Sequence, residues 1–489
     1  MQPTCNSSGI CSIPSATSTN TESSFYLQQF NTACLSEFAY YIESDGEAVV
    51  IDPLRETKSY IELAASRKAK IIYVLETHFH ADFVSGHVDL ARATGAKIVY
   101  GPSAKADFEL HVAQDGEELK VGKITLKVLH TPGHTLESSC YLLLDENRKE
   151  RAVFTGDTLF LGAVGRPDLA CNDSSGITKE DLAGMMYDSL KNKIMPLADD
   201  VIVYPAHGAG SACGKGISKG TSSTMAEQKA TNYALQPMTK EEFVTIVSSN
   251  IPSPPQYFFH DVSMNKKITE DLSEVLKRSL NPLSVRQAQD LISQGAIVVD
   301  CRDVKDFLQT GIIPHSITIS LALPFAVWAG TLLKPTDKII VLSTVGKEEE
   351  AVIRLARVGY ENCAGYIQGG VEQWVKEGQA LEHILTTDTE GHLQHLKETS
   401  DNTVLDVRNA PEWESGVYGG SVRIPLSQLE GRIDELNKNH KVHVLCKSGM
   451  RATIAYSLLR RNGFENLVIV QGGVDKLAVD GFKLEGFEV

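Results

Sequence analysis

Short apolar runs separated by polar stretches of helical period set the pattern of the chain from about residue 25 to 247. Ala48-Val49-Val50-Ile51 predicts a strand stopped at Asp52-Pro53, and Ile71-Ile72-Tyr73-Val74-Leu75 predicts a second. Ile124-Thr125-Leu126-Lys127-Val128-Leu129, Ala152-Val153-Phe154 and Val201-Ile202-Val203-Tyr204 predict three more. Strand-length runs alternating with helical patterns mark a layered α/β domain. Each of the last four runs is followed within a few residues by a His or Asp, and loops at strand ends are where such folds place their chemistry. Residues 1–24 show no apolar periodicity, and thirteen of them are Ser, Thr or Asn. That composition predicts a disordered tail, in which Cys5 and Cys11 carry no function. Pro252, Pro254 and Pro255 open a stretch, 248–281, that reads as an interdomain connection.

Beyond it the pattern repeats. Val298-Val299-Asp300-Cys301-Arg302 matches Val404-Leu405-Asp406-Val407-Arg408, and Gln368-Gly369-Gly370-Val371 matches Gln471-Gly472-Gly473-Val474. Between these markers, Ser343 precedes Gln368 by 25 positions and Cys446 precedes Gln471 by the same 25. The shared spacing marks a duplicated α/β domain, with copies at 282–382 and 385–489.

Composition narrows the class. The 489 residues suit about three domains, and 42% hydrophobic with 22% charged residues supports several cores. A formal charge of −15 argues against nucleic-acid or anionic-membrane partners, and no uncharged apolar run has the length of a bilayer span. Nine cysteines without a CxxC pair fit a reducing compartment. The first Lys or Arg is Arg55, so no basic leader is apparent and a cytoplasmic location is expected.

The candidate chemistry sits at the strand ends. Thr77-His78-Phe79-His80-Ala81-Asp82-Phe83 groups three metal-capable side chains, and Pro132-Gly133-His134, Thr155-Gly156-Asp157 and Pro205-Ala206-His207 follow in order. A lone histidine is usually structural; this ordered series is not. The pattern resembles the metallo-β-lactamase fold, which implies an αββα sandwich over 25–247. Dinuclear hydrolases of that superfamily carry a further His where this chain has Phe83. A second metal would then keep mainly Asp82 and His207, so a mononuclear site is expected. Two imidazoles and one carboxylate on one face form the facial triad of non-haem Fe(II) oxygenases.

Cys34-Leu35-Ser36-Glu37, Ile51-Asp52-Pro53, Gly156-Asp157-Thr158-Leu159-Phe160 and Gly165-Arg166-Pro167-Asp168 extend the likeness to the persulfide (sulfur) dioxygenases. That resemblance implies one Fe(II) per chain on His78, His134 and Asp157, with His80, Asp82 and His207 behind them, orienting ligands and exchanging protons. It implies a persulfide and O₂ as substrates, with sulfite and thiol as products. Arg166 matches a family arginine near the substrate channel, or else pairs with Asp168 to hold its loop. The glycine-rich run from Tyr204 to Gly214 suits a thiol tail, with Tyr204 and Cys213 as candidate contacts. For Cys213 a buried structural thiol is the preferred reading.

In the last copy, Cys446-Lys447-Ser448-Gly449-Met450-Arg451 follows a strand, and a helical pattern then runs to Arg461 and stops at Gly463. A cysteine between a buried strand and a helix N-terminus meets convergent N–H groups and the positive helix end, which favours an anionic nucleophile. The loop resembles that of rhodanese, Cys-x-x-Gly-x-Arg; phosphatases need one more residue, and Ala452 stands there. The resemblance implies that Cys446 accepts sulfane sulfur, with Lys447, Ser448, Gly449 and Arg451 cradling the anion. The middle copy has Ser343 for the cysteine and Glu348 for the arginine, so it reads as an inactive spacer or docking module, and Cys363 reads as core. Joined, the two sites would turn persulfide and sulfite into thiosulfate. Glutathione, coenzyme A or another small thiol fits as carrier, and a dimer or tetramer is expected. The competing readings are a zinc thioester hydrolase like glyoxalase II, a non-catalytic pair of binding repeats, and a sulfurtransferase with a vestigial metal domain.

Overall fold

Alternation within single strands decides the layering of the first domain. In the strand Ile124–His130, Ile124, Leu126 and Val128 enter one hydrophobic cluster while Leu129 enters another. Its partner Ser139–Leu144 sends Tyr141 and Leu143 to the first cluster and Cys140, Leu142 and Leu144 to the second. Side chains two apart share a face of a strand, so each sheet buries both faces. The computed structural model describes residues 4–5, 10–14, 24–171, 176–249, 251, 253–398 and 400–486.

An eight-stranded sheet runs in chain order from Thr4–Cys5 to His111–Val112, and a six-stranded sheet is built from strands between Glu118 and Thr224. The cluster between the sheets takes Tyr40, Ile42, Val49 and Val99 from the first and Leu126, Tyr141, Phe154 and Tyr204 from the second. Outside the first sheet lies Val88 of the helix His87–Thr94, packed with Ile98 and Tyr100. Outside the second lie Met186 of Lys179–Ser189 and Phe243 of Lys240–Ser248. This is the expected αββα sandwich. The hairpin joining Glu37–Ser44 to Glu47–Ile51 turns on Asp45 and Gly46, both at positive φ, the geometry that twists in step with its strands.

Two stretches differ from expectation. Ile10–Pro14 pairs antiparallel with Tyr26–Thr32, and Thr4–Cys5 pairs with it in turn, so part of the region read as a disordered tail is sheet edge. Edge strands draw on backbone hydrogen bonds, which need no apolar periodicity. The stretch 248–281 carries the helices Tyr257–Asn265 and Leu272–Ser279, with Tyr257, Phe258, Asp261 and Asn265 buried.

By packing, the chain forms two compact units: Met1–Val275 with Arg354–Tyr360, and Leu276–Ile353 with Glu361–Val489. The second unit holds two five-stranded sheets. One has the spatial order Pro282–Leu283, Cys363–Ile367, Ile339–Leu342, Ile297–Asp300, Ile317–Thr318. The other has Thr386–Thr387, Leu467–Val470, Lys441–Leu445, Asn402–Asp406, Val422–Arg423. Every neighbouring pair in both is parallel, so the duplication extends to topology. Among the described residues no helix is long and apolar enough to cross a membrane.

Candidate metal centre and sulfur-transfer loop

His78, Asp157 and His207 lie just past the ends of Lys70–Leu75, Glu150–Gly156 and Ile202–Pro205, and His134 follows Ile124–His130. Ligand atoms of His78, His134 and Asp157 fall within 4.8 Å of one another, all buried. The Asp157 Oδ2 atom is 3.3 Å from His134 Nε2 and 3.8 Å from His78 Nε2. Neighbouring groups select which nitrogen each imidazole offers. Thr77 gives its hydroxyl proton to Asp52 at 2.8 Å and faces His78 Nδ1 at 3.0 Å, so Nδ1–H donates and the Nε2 lone pair is left. His134 Nδ1–H donates to the Arg166 carbonyl at 2.8 Å with the same result. Thr77 and Asp52 are contributions that the ligand pattern alone did not signal.

The buried His78 Nε2 and both Asp157 carboxylate oxygens have no hydrogen-bond partner. Burial, with His80, His134 and His207 nearby, pushes the His78 imidazole well below its ordinary value, which keeps it neutral. Burial raises Asp157 above its ordinary value, against the pull of His207 and His134. Two imidazoles that each turn Nε2 inward and a carboxylate fit a divalent first-row metal. Gly165 permits the close packing here: a Cβ would stand 2.2 Å from the Asp157 carbonyl oxygen and 2.9 Å from His134 Nδ1.

His80, Asp82 and His207 form a second buried group of the same kind. His80 Nε2 lies 3.1 Å from Asp52 Oδ1 and 3.4 Å from Glu76 Oε2. Burial alone would lower its pKa, but Asp52 and Glu76 outweigh burial and raise it. His207 Nε2 faces Asp82 at 3.4 Å and Asp157 at 3.5 Å. Phe83 is fully buried against the His80 ring, centroids 4.3 Å apart. Arg166 grips Asp168 through two bonds of 2.7 and 2.8 Å and reaches the Ala212 carbonyl, the loop-holding alternative. Cys213 is buried, and burial with Asp82 and Asp157 pushes its thiol up; its sulfur still falls within 4.8 Å of ligand atoms of Asp157 and His207. The Tyr204 ring stacks on Phe154 and meets Tyr40 between the sheets, because it occupies an inward position of its strand.

In the last repeat the Gly449 N–H points to Cys446 Sγ at 3.1 Å, and the helix Met450–Arg461 begins beside it. Gly473 of the Gly-Gly marker lies against this loop: at φ +58° any Cβ would stand 2.1 Å from the Cys446 carbonyl oxygen. Arg451 is bound by Glu412 through bonds of 2.7 and 2.6 Å. Glu412 went unnoticed in the sequence, since nothing local links positions 39 apart. In the middle repeat the equivalent glycine N–H, that of Gly346, donates to Glu348 Oε2 at 2.8 Å. A carboxylate therefore takes the N–H that faces the cysteine sulfur in the last repeat. Cys363 is buried and burial pushes its thiol up to about 11, as a core cysteine. The variant Ser343→Cys is expected to gain no sulfur transfer, because Glu348 still takes the Gly346 N–H and repels anions. Thiosulfate–cyanide turnover by Ser343→Cys in a Cys446→Ser background would show the charge argument to be wrong.

Behind this loop, His392 Nδ1 and His443 Nδ1 share one hydrogen bond of 2.9 Å inside the repeat. Burial lowers His392 to about 4, and burial with His392, Lys441 and His395 nearby lowers His443 to about 3. An unfolded histidine titrates near ~6.5, so the unfolded chain takes up protons first as pH falls. The pair's contribution is complete above that value and is lost on the way down to about 3. The thermal midpoint of the second unit should fall between pH 7 and 5, and a His392→Leu/His443→Leu double variant should flatten that slope. An equal slope in the double variant removes the assignment.

Fold and ligand order together define a metallo-beta-lactamase-type domain followed by sulfurtransferase-like repeats. Residues 33–207 match the metallo-beta-lactamase superfamily, and residues 284–377 and 389–479 each match the rhodanese-like domain. Human mitochondrial persulfide dioxygenase ETHE1 is 31% identical over 217 residues, 44% of this chain and 76% of the relative. A probable hydroxyacylglutathione hydrolase of Schizosaccharomyces pombe, glo2, is 33% identical over 35% of this chain and 64% of the relative. The crystal structure of a metallo-beta-lactamase from Staphylococcus aureus superposes with TM-score 0.62 at 30% identity, covering 71% of this chain and 99% of that one. The chain belongs to the metallo-beta-lactamase superfamily, in the family of the persulfide dioxygenases, and carries two rhodanese-like domains.

Proposed function

We propose that the first domain oxidises a low-molecular-weight persulfide with O₂ to sulfite and thiol, and that the last repeat transfers sulfane sulfur through Cys446 to give thiosulfate. The observation that carries this reading is the buried triad His78, His134 and Asp157, with its unpartnered Nε2 and carboxylate atoms. These three side chains would hold one Fe(II), a centre that admits a soft sulfur anion and O₂ together. The balance is R–S–SH + O₂ + H₂O → R–SH + sulfite + 2 H⁺. Thr77 and the Arg166 carbonyl hold the two imidazoles in the ligating tautomer. The phenyl ring of Phe83 lies against His80 and adds no donor there.

At the second site the Cys446 thiolate attacks the terminal sulfur of R–S–SH, forming the Cys446 persulfide as the S–S bond of R–S–SH breaks and R–S⁻ leaves with the electron pair. Sulfite then attacks that outer sulfur, and thiosulfate departs with the Cys446 thiol restored. Glutathione and coenzyme A persulfides are both chemically suited carriers. Tethering both sites in one chain raises the local sulfite concentration.

A zinc thioester hydrolase is the second reading, favoured by the grouping of His80, Asp82 and His207 and by the hydrolase relatives. Metal analysis with an oxygen electrode separates them. About one iron per chain is expected, with O₂ consumed on adding glutathione persulfide and none with glutathione. Two zinc ions and anaerobic cleavage of a glutathione thioester would overturn the proposal.

A further inference from the structure

The loop carrying His78, His80 and Asp82 is buried from Thr77 to Gly86 and belongs to no helix or extended strand. Its backbone polar groups must therefore find partners elsewhere. The Phe79 N–H donates to Glu137 Oε1 at 3.0 Å, and the Gly86 N–H to the Pro53 carbonyl at 2.8 Å. The Val84 N–H donates to the Arg357 carbonyl at 2.7 Å. One side chain serves three of the remaining groups. Asn265 Nδ2 donates to the carbonyls of His80 and Phe83, each at 2.8 Å, and its Oδ1 accepts from the Ser85 N–H at 2.8 Å. Asn265 is 1% exposed and ends the helix Tyr257–Asn265, outside the superfamily match at 33–207. Arg357, whose side chain bonds Glu56 and Cys34 Sγ, belongs by packing to the same compact unit.

We infer that Asn265 is a positioning residue of the metal centre: its carboxamide fixes the backbone of the ligand loop and so the aim of His78. A carboxamide is the one small side chain that offers two N–H donors and an acceptor in a plane. Asp in its place would turn an acceptor toward two carbonyls, while keeping the size and the bond from Ser85. The Arg357 carbonyl anchors the next residue, Val84, so the loop is fixed at 80, 83, 84 and 85 by groups that lie far along the chain. The inference rests on the ligand set proposed above.

The test uses the full-length holoprotein as wild type, Asn265→Asp, Asn265→Ser and Phe259→Ala, the last an exposed position of the same helix. Metal loss to a colorimetric ferrous chelator, O₂ uptake and Cys446-dependent thiosulfate–cyanide turnover are followed in each. Partners that orient a ligand typically govern metal affinity by about 10–100-fold. Asn265→Asp is expected to lose metal at least about tenfold faster than wild type, with sulfur transfer unchanged. Asn265→Ser, which keeps one donor, should fall between them and stands in should the Asp variant fail to fold. Loss rates within about twofold of wild type in both variants, or an equal acceleration in Phe259→Ala, overturn the inference. A wild type that holds zinc defeats the iron proposal instead, and the same loss rates measured with a zinc chelator still judge Asn265.

Discussion

Asp157→Asn is expected to leave less than about a tenth of an iron per chain and to cut persulfide-dependent O₂ uptake by more than about 10³-fold, ~4 kcal/mol of barrier. Asp157 is 2% exposed, and its carboxylate is the anionic member of the triad, facing both His134 and His78. The amide keeps the shape but removes the charge that a divalent ion requires. The metal-free variant should melt no lower than metal-free wild type, since burial disfavours the Asp157 charge when no cation is bound. Sulfur transfer at Cys446 should continue. Full iron occupancy with normal O₂ uptake in this variant would remove Asp157 from the ligand set.

The Cys446→Ser variant should lose sulfur transfer by more than about 10³-fold, because a hydroxyl is neither anionic near neutral pH nor able to carry sulfane sulfur. The Ser hydroxyl can still accept from the Gly449 N–H, so the loop should keep its course. O₂ uptake should be unchanged while the product moves from thiosulfate to sulfite. Quantifying both anions by chromatography during turnover with glutathione persulfide gives the answer directly. An unchanged thiosulfate yield means the two sites are not coupled. Loss of O₂ uptake would instead show that the last repeat feeds the first domain.

Much of this was legible along the chain. Strands such as Ile71–Leu75 and Val201–Tyr204 announce themselves by apolar runs, and each strand end names its candidate ligand. The duplication was legible because equal spacing survives between Ser343–Gln368 and Cys446–Gln471. The orientation of Tyr204 was not legible, since proximity to His207 in sequence says nothing about which face of the strand a ring occupies. Its ring packs into the core.

The sequence by itself determined the α/β layering, the repeat, the order of metal-capable residues, and the loss of thiol chemistry at Ser343. These depend on local period and residue identity, which are written one position after another. Only the tertiary structure decided which nitrogen each imidazole offers, that His80 faces Asp52 and Glu76, that Glu348 takes the Gly346 N–H of its own loop, and that Asn265 closes the ligand loop. Hydrogen-bond partners 39 or 185 positions apart leave no periodic trace, because folding alone brings them within reach.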